Sequence, residues 1–562
     1  MTDVSPGLIL ILGALLVPVL RGWARSIYML ALPVAAFVHL VALPYGAFGQ
    51  LEFLGFSLTT LRIDRLSSIF GYVFLIAALI SVIYALHVRD AVQHTASLVY
   101  AGSAVGAVFA GDLVTLFVYW EGTAIASVAL IWARRTEASY HAGMRYLIVQ
   151  VLSGLLLFFG VLLQYRATGS IAFDAIGLQT QAGVLIFLAF GIKCAFPLLH
   201  NWLQDAYPEA TVTGTVWLSA FTTKLAVYSL ARGYAGTEIL VPIGAAMTAF
   251  PIFYAVIEND LRRVLAYSLN NQLGFMVVGV GIGTELALNG TAAHAFCHIL
   301  YKALLFMSMG AVLFRVGTVK GSELGGLYKS MPWTTGFCIV GAASISAFPL
   351  FSGFISKSLI LSATMKEGYF WTWLVLLFAS AGVFHHSGIK IPYFAFFAHD
   401  SGKRCEEAPF NMLVAMAITA ALCVGLGVMP GLLYAILPFA VDYHPYSLDH
   451  VVTQLQLLLF SALAFTVLMR TGLYPPELKS VNLDFDWAYR RLGKSALLAL
   501  ASIVETIGSG SARAITRTVS AFLSRLYRHH GPQGILARTW PTGSMAFWAT
   551  FLLAAYLIVY YL

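Results

Sequence analysis

Glu121, Lys193, Lys224, Lys302 and Lys390 each lie within a long apolar run of this chain. A charge at the centre of a bilayer costs roughly 2.5 to 3.5 kcal/mol, so five of them imply on the order of 15 kcal/mol that a lipid-facing surface need not bear. They must face inward, toward one another or toward water. What such groups can do there is exchange protons. A lysine drawn out of water can lose its proton near neutral pH, and a histidine titrates there unperturbed, so both can relay where an arginine cannot.

In the run AHAFCHILYKALLF, His294, His298 and Lys302 fall at i, i+4 and i+8. Four-residue steps keep them on one helix face over about 12 Å, a stack able to pass a proton along hydrogen-bonded water. The alternative is that the histidines only satisfy buried partners. Glu121 sits near mid-depth, and a glutamate beside a lysine makes a switchable pair: protonating or separating one member moves the pKa of the other. The alternative there is a static ion pair that holds two helices in register.

Lys193 and Lys224 flank a breaker-rich stretch, Pro197 followed by HNWLQDAYPEATVTG. Ten residues down, a turn, and ten back place both near mid-depth on adjacent helices, in one hydrated layer. Pro197 removes a backbone donor just after Lys193 and predicts an interrupted helix. Lys390 is followed by Pro392, a second Pro-interrupted, ion-bearing helix, and such a pair points to an inverted-repeat transporter. Arg232 and Lys357 lie nearer span ends and are expected to snorkel. Asp260, Arg262 and Arg263 fall in a turn they are expected to orient.

The elements that must position these groups follow from composition. With 562 residues, 59% hydrophobic, 10% charged and 14% aromatic, and a mean hydropathy of +0.82, the chain reads as an all-α polytopic membrane protein. At about 20 apolar residues per crossing, about 14–16 helices are expected, the fullest set being 6–20, 27–47, 66–87, 93–110, 113–133, 144–165, 182–202, 212–231, 239–257, 263–283, 290–314, 335–365, 372–398, 410–430, 452–470 and 543–562. The first run has no basic segment before it and no cleavage site after it, and is expected to be retained. Alternate connections hold Arg21, Arg25, Arg89, Arg134, Arg135, Arg262, Arg263, Arg315, Lys320, Lys329, Lys403 and Arg404, which places them in the cytoplasm and the N-terminus outside. This asymmetry accounts for the +8 charge without nucleic acid. Between Gly472 and Pro541 the chain turns basic (Lys479, Arg490, Arg491, Lys494, Arg513, Arg517, Arg525, Arg528, Arg538), with Ile515, Val519, Phe522 and Leu526 at helical spacing. An amphipathic helix on the cytoplasmic interface is expected there, pinned by a terminal span.

The five cysteines form no CxxC or zinc spacing and read as free buried thiols. GVGIG, Gly279 to Gly283, ends an apolar span with no preceding strand and fails as a dinucleotide fingerprint. His385 and His386 are adjacent and cannot both face one haem. No cofactor and no metal site is expected.

The stretches LVTLFVYWEG, GIKCAFPLLHNWLQDA, LSAFTTKLAVYSLAR, NDLRRVLAYSLNNQLGF, HILYKALLFMSMGAVLF, ELGGLYKSMP and FPLFSGFISKS occur in one order between about residues 94 and 400. Together they resemble the antiporter-like subunits shared by Mrp-type cation/proton antiporters and respiratory complex I, most of all the D subunit of the Mrp type. The resemblance implies two inverted five-helix repeats, each with a broken helix, and a polar axis along the membrane plane. It implies ion-handling roles for Glu121, Lys193, Lys224, His298, Lys302 and Lys390, beside His294 from the spacing above. It also implies partner subunits in a membrane complex. Gln204 and EATVTGTV depart from the family's proline-rich pattern, and the basic C-terminal helix with its extra span is similar to the lateral helix of the largest antiporter-like subunit of complex I.

The organisation expected is N-terminal helices over 1–92, an antiporter-like core over 93–400, further helices over 401–471, a lateral helix over 472–541 and a terminal span over 542–562. Three functions remain open: a proton-translocating subunit of a multisubunit Na⁺/proton antiporter in the cell (inner) membrane, a proton-pumping subunit of a redox complex, or a proton-coupled subunit of inorganic-carbon uptake.

Overall fold

The computed structural model describes residues 3–478, 482–531, 534 and 541–561, apart from the side chains of 507 and 509–512. Lys479 and Arg538, counted above in the basic segment, lie outside the described residues. The chain divides into two compact units, Met1–Asn482 and Leu483–Leu562.

The first unit opens with α1 (Pro6–Ala14) and α2 (Gly22–Ala42), then an antiparallel hairpin of β1 (Gly46–Phe53) and β2 (Phe56–Ile63), an element the helical reading did not foresee. It continues through α3 (Arg65–Ala85), α4 (Ala91–Val108), α5 (Leu113–Trp132), α6 (Glu137–Thr168), α7 (Gln181–Lys193), α8 (Asn201–Ala206), α9 (Gly214–Ala220), α10 (Thr222–Gly233), α11 (Leu240–Ile257), α12 (Leu261–Ile282) and α13 (Glu285–Val316). Then follow α14 (Pro332–Ile345), α15 (Ser352–Lys366), α16 (Phe370–Val383), α17 (Lys390–Pro392), α18 (Phe410–Val428), α19 (Pro430–Tyr434) and α20 (Leu448–Thr471). The second unit holds α21 (Lys494–His530) and α22 (Thr542–Tyr561).

Ten of the described helices are long and apolar enough to cross a membrane. The other expected crossings are helices with a physical reason to fall short. α1 has nine residues. α4 and α12 carry polar side chains on buried faces, Gln93 and His94 in one and Asn270, Asn271 and Gln272 in the other. The remaining three, α7–α8, α9–α10 and α14–α15, are each broken in two.

Two halves of this unit are built alike. α6 and α13 each run 32 residues from a threonine N-cap to a left-handed glycine, Gly169 and Gly317, a C-cap conformation that costs glycine nothing. Asp112 caps α5 and bridges Ala172; Asp260 caps α12 and bridges Lys320. Leu113 N donates to Ile171 O and Leu261 N to Val319 O, at the same sequence offset. The breaks match too. Ala195 and Leu198 have φ of 61° and 71°, and Ala347 and Leu350 have φ of 57° and 73°. Phe196 N donates to Gly191 O and Phe348 N to Ala343 O, both at 3.0 Å.

The counterpart of the Pro197 break is therefore the Ala347–Leu350 turn around Pro349, which corrects the expectation for Pro392. There the chain absorbs the missing donor in π-helical turns at Phe384–Ile389 and Tyr393–Phe397, and the helix widens without stopping. α12 and α13 form the centre of the unit, buried nearly all round. By contrast α21 keeps Ile515, Val519, Phe522 and Leu526 exposed, and α22 has no buried residue.

Candidate functional site

Five of the described lysines of the first unit are buried: Lys193, Lys224, Lys302, Lys357 and Lys390. Lys193 ends the first half of a broken helix, and Nζ reaches across to α5, donating to Trp120 O at 2.6 Å and Thr123 Oγ1 at 2.7 Å. It also lies 4.3 Å from the centre of the Trp120 ring. That indole is fixed in turn, its Nε1 donating to Ser153 Oγ at 3.0 Å, and Ser153 Oγ to Ala189 O at 2.7 Å.

Glu121 does not touch Lys193. Its Oε1 is buried without a hydrogen-bond partner and fills the notch left by Gly154 on α6, where a Cβ would lie 1.5 Å from that oxygen. Neighbouring residues on a helix point about 100° apart, so Glu121 turns to Gly154 on α6 while the Trp120 carbonyl and ring face meet Lys193. Glu121 and Lys193 are neighbours without direct contact.

Lys224 lies just past the bend at Phe221, and Nζ donates to Ser219 O at the end of α9, at 2.6 Å. α7 packs on α10, which makes Lys193 and Lys224 residents of adjacent elements as expected. Lys357 does not snorkel. Nζ turns inward to Ile345 O at the end of α14, at 2.7 Å, with the Phe275 ring 5.3 Å away. An ammonium at a helix C-terminus satisfies an orphan carbonyl and meets the negative end of the helix dipole, and this outweighs the pull toward water. Arg232 does not snorkel either. Its side chain is 6% exposed because both Asp64 oxygens accept from Nη2 at 2.9 and 2.7 Å and Tyr228 OH accepts from Nε at 2.7 Å. Burial pushes the Asp64 carboxyl up, but Arg232, the Ser67 N–H and Arg62 together hold it below the ordinary carboxylate value.

On α13, His294, His298 and Lys302 are all buried on the expected face. His294 Nδ1 pairs with Ser356 Oγ at 3.0 Å and Nε2 faces Tyr301 OH at 3.4 Å, while Tyr301 OH donates to Gln272 Oε1 at 3.1 Å. Neither nitrogen of His298 has a partner among the described residues, and its ring centre is 6.1 Å from that of His294. From Lys302 the polar contacts leave the helix sideways. Nζ donates to Ser268 Oγ at 2.8 Å, Ser387 Oγ to Ser268 Oγ at 2.7 Å, and His386 Nδ1 lies 2.9 Å from Ser387 Oγ.

Lys390, four residues beyond His386, donates to Ala255 O at 3.2 Å, Val256 O at 2.6 Å and Glu258 O at 2.7 Å, and pairs with Glu477 Oε1 at 3.0 Å. Sequence reading misses Ser268, Ser387, Lys357 and Glu477, and weighs His386 only against haem ligation. A serine within an apolar helix carries no signal until its neighbour across the interface is known.

Arg262 does more than orient a turn. It is fully buried and donates to the carbonyls of Tyr207, Pro208, Ala210 and Thr211, clamping the connection between α8 and α9. No group of three or more His, Cys, Asp or Glu among the described residues could hold a metal ion.

Residues 110–385 match the membrane-domain signature of the NADH:quinone oxidoreductase/Mrp antiporter family. The chain is 32% identical over 348 residues to the D subunit of the Na(+)/H(+) antiporter of Alkalihalophilus pseudofirmus, a match covering 57% of this chain and 69% of that protein. The chain belongs to this family. It is also 27% identical over 413 residues to Hydrogenase-4 component B of Escherichia coli, covering 65% of this chain but only 62% of that relative's length. Its fold is that of a chain in the Mrp complex from Dietzia sp., with TM-score 0.74, 22% identity, and coverage of 99% of this chain and 62% of that one. Glu121, Lys193, Lys224, His294, His298, Lys302 and Lys357 all fall inside the family segment. Lys390 and Glu477 lie beyond it.

Proposed function

We propose that this antiporter-family chain is the proton-translocating membrane subunit of a multisubunit monovalent cation/proton antiporter, equivalent to the D subunit of the Mrp type, moving protons along Glu121, Lys193, Lys224, His294, His298, Lys302 and Lys390. One observation carries the reading. Lys193, Lys224, Lys302 and Lys357 are seated on carbonyls, hydroxyls and ring faces, with no carboxylate in contact among the described residues. A carboxylate partner favours the charged form of a lysine, whereas neutral acceptors hold an ammonium and release an amine at moderate cost. That favours proton exchange over a static ion-pair scaffold.

The similarity to the D subunit of a Na(+)/H(+) antiporter supports Na⁺ as the exchanged cation. The test is pH-gradient decay in vesicles carrying the whole complex on addition of Na⁺, Li⁺ or K⁺. Decay at the rate of vesicles lacking the complex would overturn the reading. A redox complex is the second reading, favoured by the similarity to Hydrogenase-4 component B and by the long C-terminal helix α21.

Residues 93–400 form the transporting core in this reading, with 1–92 and 401–471 as flanking helices. The N-terminus lies outside the cell membrane and α21 on the cytoplasmic face, a sidedness that the distribution of basic residues supports. In a background lacking the five native cysteines, a cysteine at Ser524 is expected to label from the cytoplasmic side. Labelling only from outside would overturn the topology.

The C-terminal unit is a brace against a partner subunit. α21 leaves an apolar stripe exposed, and α22 buries none of its twenty residues within the chain. Deleting residues 480–562 is expected to weaken assembly, read by co-purification of the other subunits, more than it lowers transport per assembled complex. An intact complex after the deletion would contradict the brace.

A further inference from the structure

Lys390 differs from the other buried lysines in two ways. Its ammonium sits at the ends of two crossings: the last carbonyls of α11 hold it from one side, and from the other comes Glu477, six residues past the end of α20. It is also the buried lysine with a carboxylate in contact, Glu477 Oε1 at 3.0 Å. The Lys390 side chain is 0% exposed and that of Glu477 7%. The segment carrying Glu477 is itself open to the surroundings, with Leu473 72% and Leu478 57% exposed. Glu477 thus reaches inward from an exposed connection to an ammonium that cannot reach water unaided.

The carboxylate is otherwise unengaged. Apart from the Lys390 contact, neither oxygen has a hydrogen-bond partner among the described residues, although both are buried. Around the pair lie Glu258, whose Oε1 accepts from the Asn259 and Asp260 N–H groups and whose Oε2 accepts from Asn482, with Tyr474 on the same connection and His385 stacked on Tyr474. Burial pushes the Glu477 carboxyl up, and the Lys390 ammonium pulls it back only in part.

We propose that Glu477 is a proton-transfer residue of the path, taking a proton from the Lys390 ammonium and delivering it to water on the side where α20 ends. This rests on the proton-translocation reading above. One N–H bond of Lys390 breaks and one O–H bond of Glu477 forms, leaving a neutral amine and a neutral acid. The acid then gives its proton to water and returns to carboxylate, and the amine is reprotonated from within the path. Transfer removes two buried charges at once, so the desolvation that burdens the ion pair favours the step.

The test uses the assembled complex in vesicles. Glu477→Gln, which keeps size but cannot take the proton, is expected to slow cation-driven pH-gradient decay about a hundredfold. Infrared difference spectra on an acid pH step are expected to show a protonated-carboxyl band in the wild type that Glu477→Gln lacks. Wild-type transport by Glu477→Gln, or slow transport with the band unchanged, would overturn the proposal, the latter leaving a structural latch. If Glu477→Gln does not assemble, Glu477→Asp decides: a shifted band supports transfer, and a spectrum identical to wild type overturns it. Lys193→Ala is run beside it. An inactive Lys193→Ala with a fully active Glu477→Gln leaves the path standing and this proposal fallen, whereas an active Lys193→Ala overturns the path itself.

Discussion

Lys193→Ala is expected to abolish cation-driven proton movement while the protein still inserts and assembles. The lysine makes no direct contact with a carboxylate: its partners are the Trp120 carbonyl, the Thr123 hydroxyl and an indole face. Thr123 Oγ1 already donates to Trp120 O at 2.7 Å, so removing the ammonium leaves neither acceptor stranded beside a bare charge. The structural cost is a lost charge-assisted hydrogen bond, about 2 kcal/mol, which an assembled membrane protein can absorb. The functional cost is the only group in α7 able to carry a proton between α5 and α10. Lys193→Arg restores the charge but holds its proton too tightly to pass it on, and is expected to be as inactive as alanine. The measurement is pH-gradient decay in vesicles holding the whole complex. Wild-type rates from Lys193→Ala would refute the mechanism, and loss of assembly without a specific loss of transport would favour a scaffolding role.

The second large effect is expected at Glu121, and the notch beside it offers a way to reach it without altering a charge. Glu121→Gln keeps size and polarity but removes the negative field that favours protonated Lys193, so coupled transport is expected to fall nearly as far as with Lys193→Ala. Gly154→Ala places a methyl group 1.5 Å from where Oε1 lies. The colliding atom is the end of a flexible side chain, so the fold survives while the carboxylate must swing away. Transport is expected to drop severalfold in the single variant. In the Glu121→Gln background the alanine is expected to add little, because both changes act on one carboxylate. Additive losses in that double-mutant cycle would show that Gly154 matters to packing alone.

Much of this arrangement is legible in the residues, for a reason that differs from group to group. Charged side chains within apolar runs announce themselves by cost, which is how Glu121, Lys193, Lys224, Lys302 and Lys390 stand out. Helical spacing puts His294, His298 and Lys302 on one face, where the structure has them. What spacing cannot supply is direction. Lys357 reads as a surface residue because it lies near a span end, yet that end is the mouth of a broken helix whose free carbonyl is a better partner than water. Mid-depth likewise says how far along their helices Glu121 and Lys193 lie, and not which neighbour each faces. Pro392 misleads because proline marks strain in the backbone without saying whether a turn will widen or break. Glu477 stays invisible because its partner is 87 positions away in the chain and its own surroundings read as a polar connection.

The matched halves have one more consequence. The offset that pairs Asp112 with Asp260 also pairs Gly154 with Lys302, and Glu121 with Leu269. The same interhelical seam is thus filled from one helix by an anion in the first half, and from the opposite helix by a cation in the second. Two halves of matched backbone thus carry opposite charges at one seam, so a substitution at either position is not mirrored by its counterpart: Gly154→Ala meets a carboxylate in the first half, whereas the matching position in the second half is itself the amine.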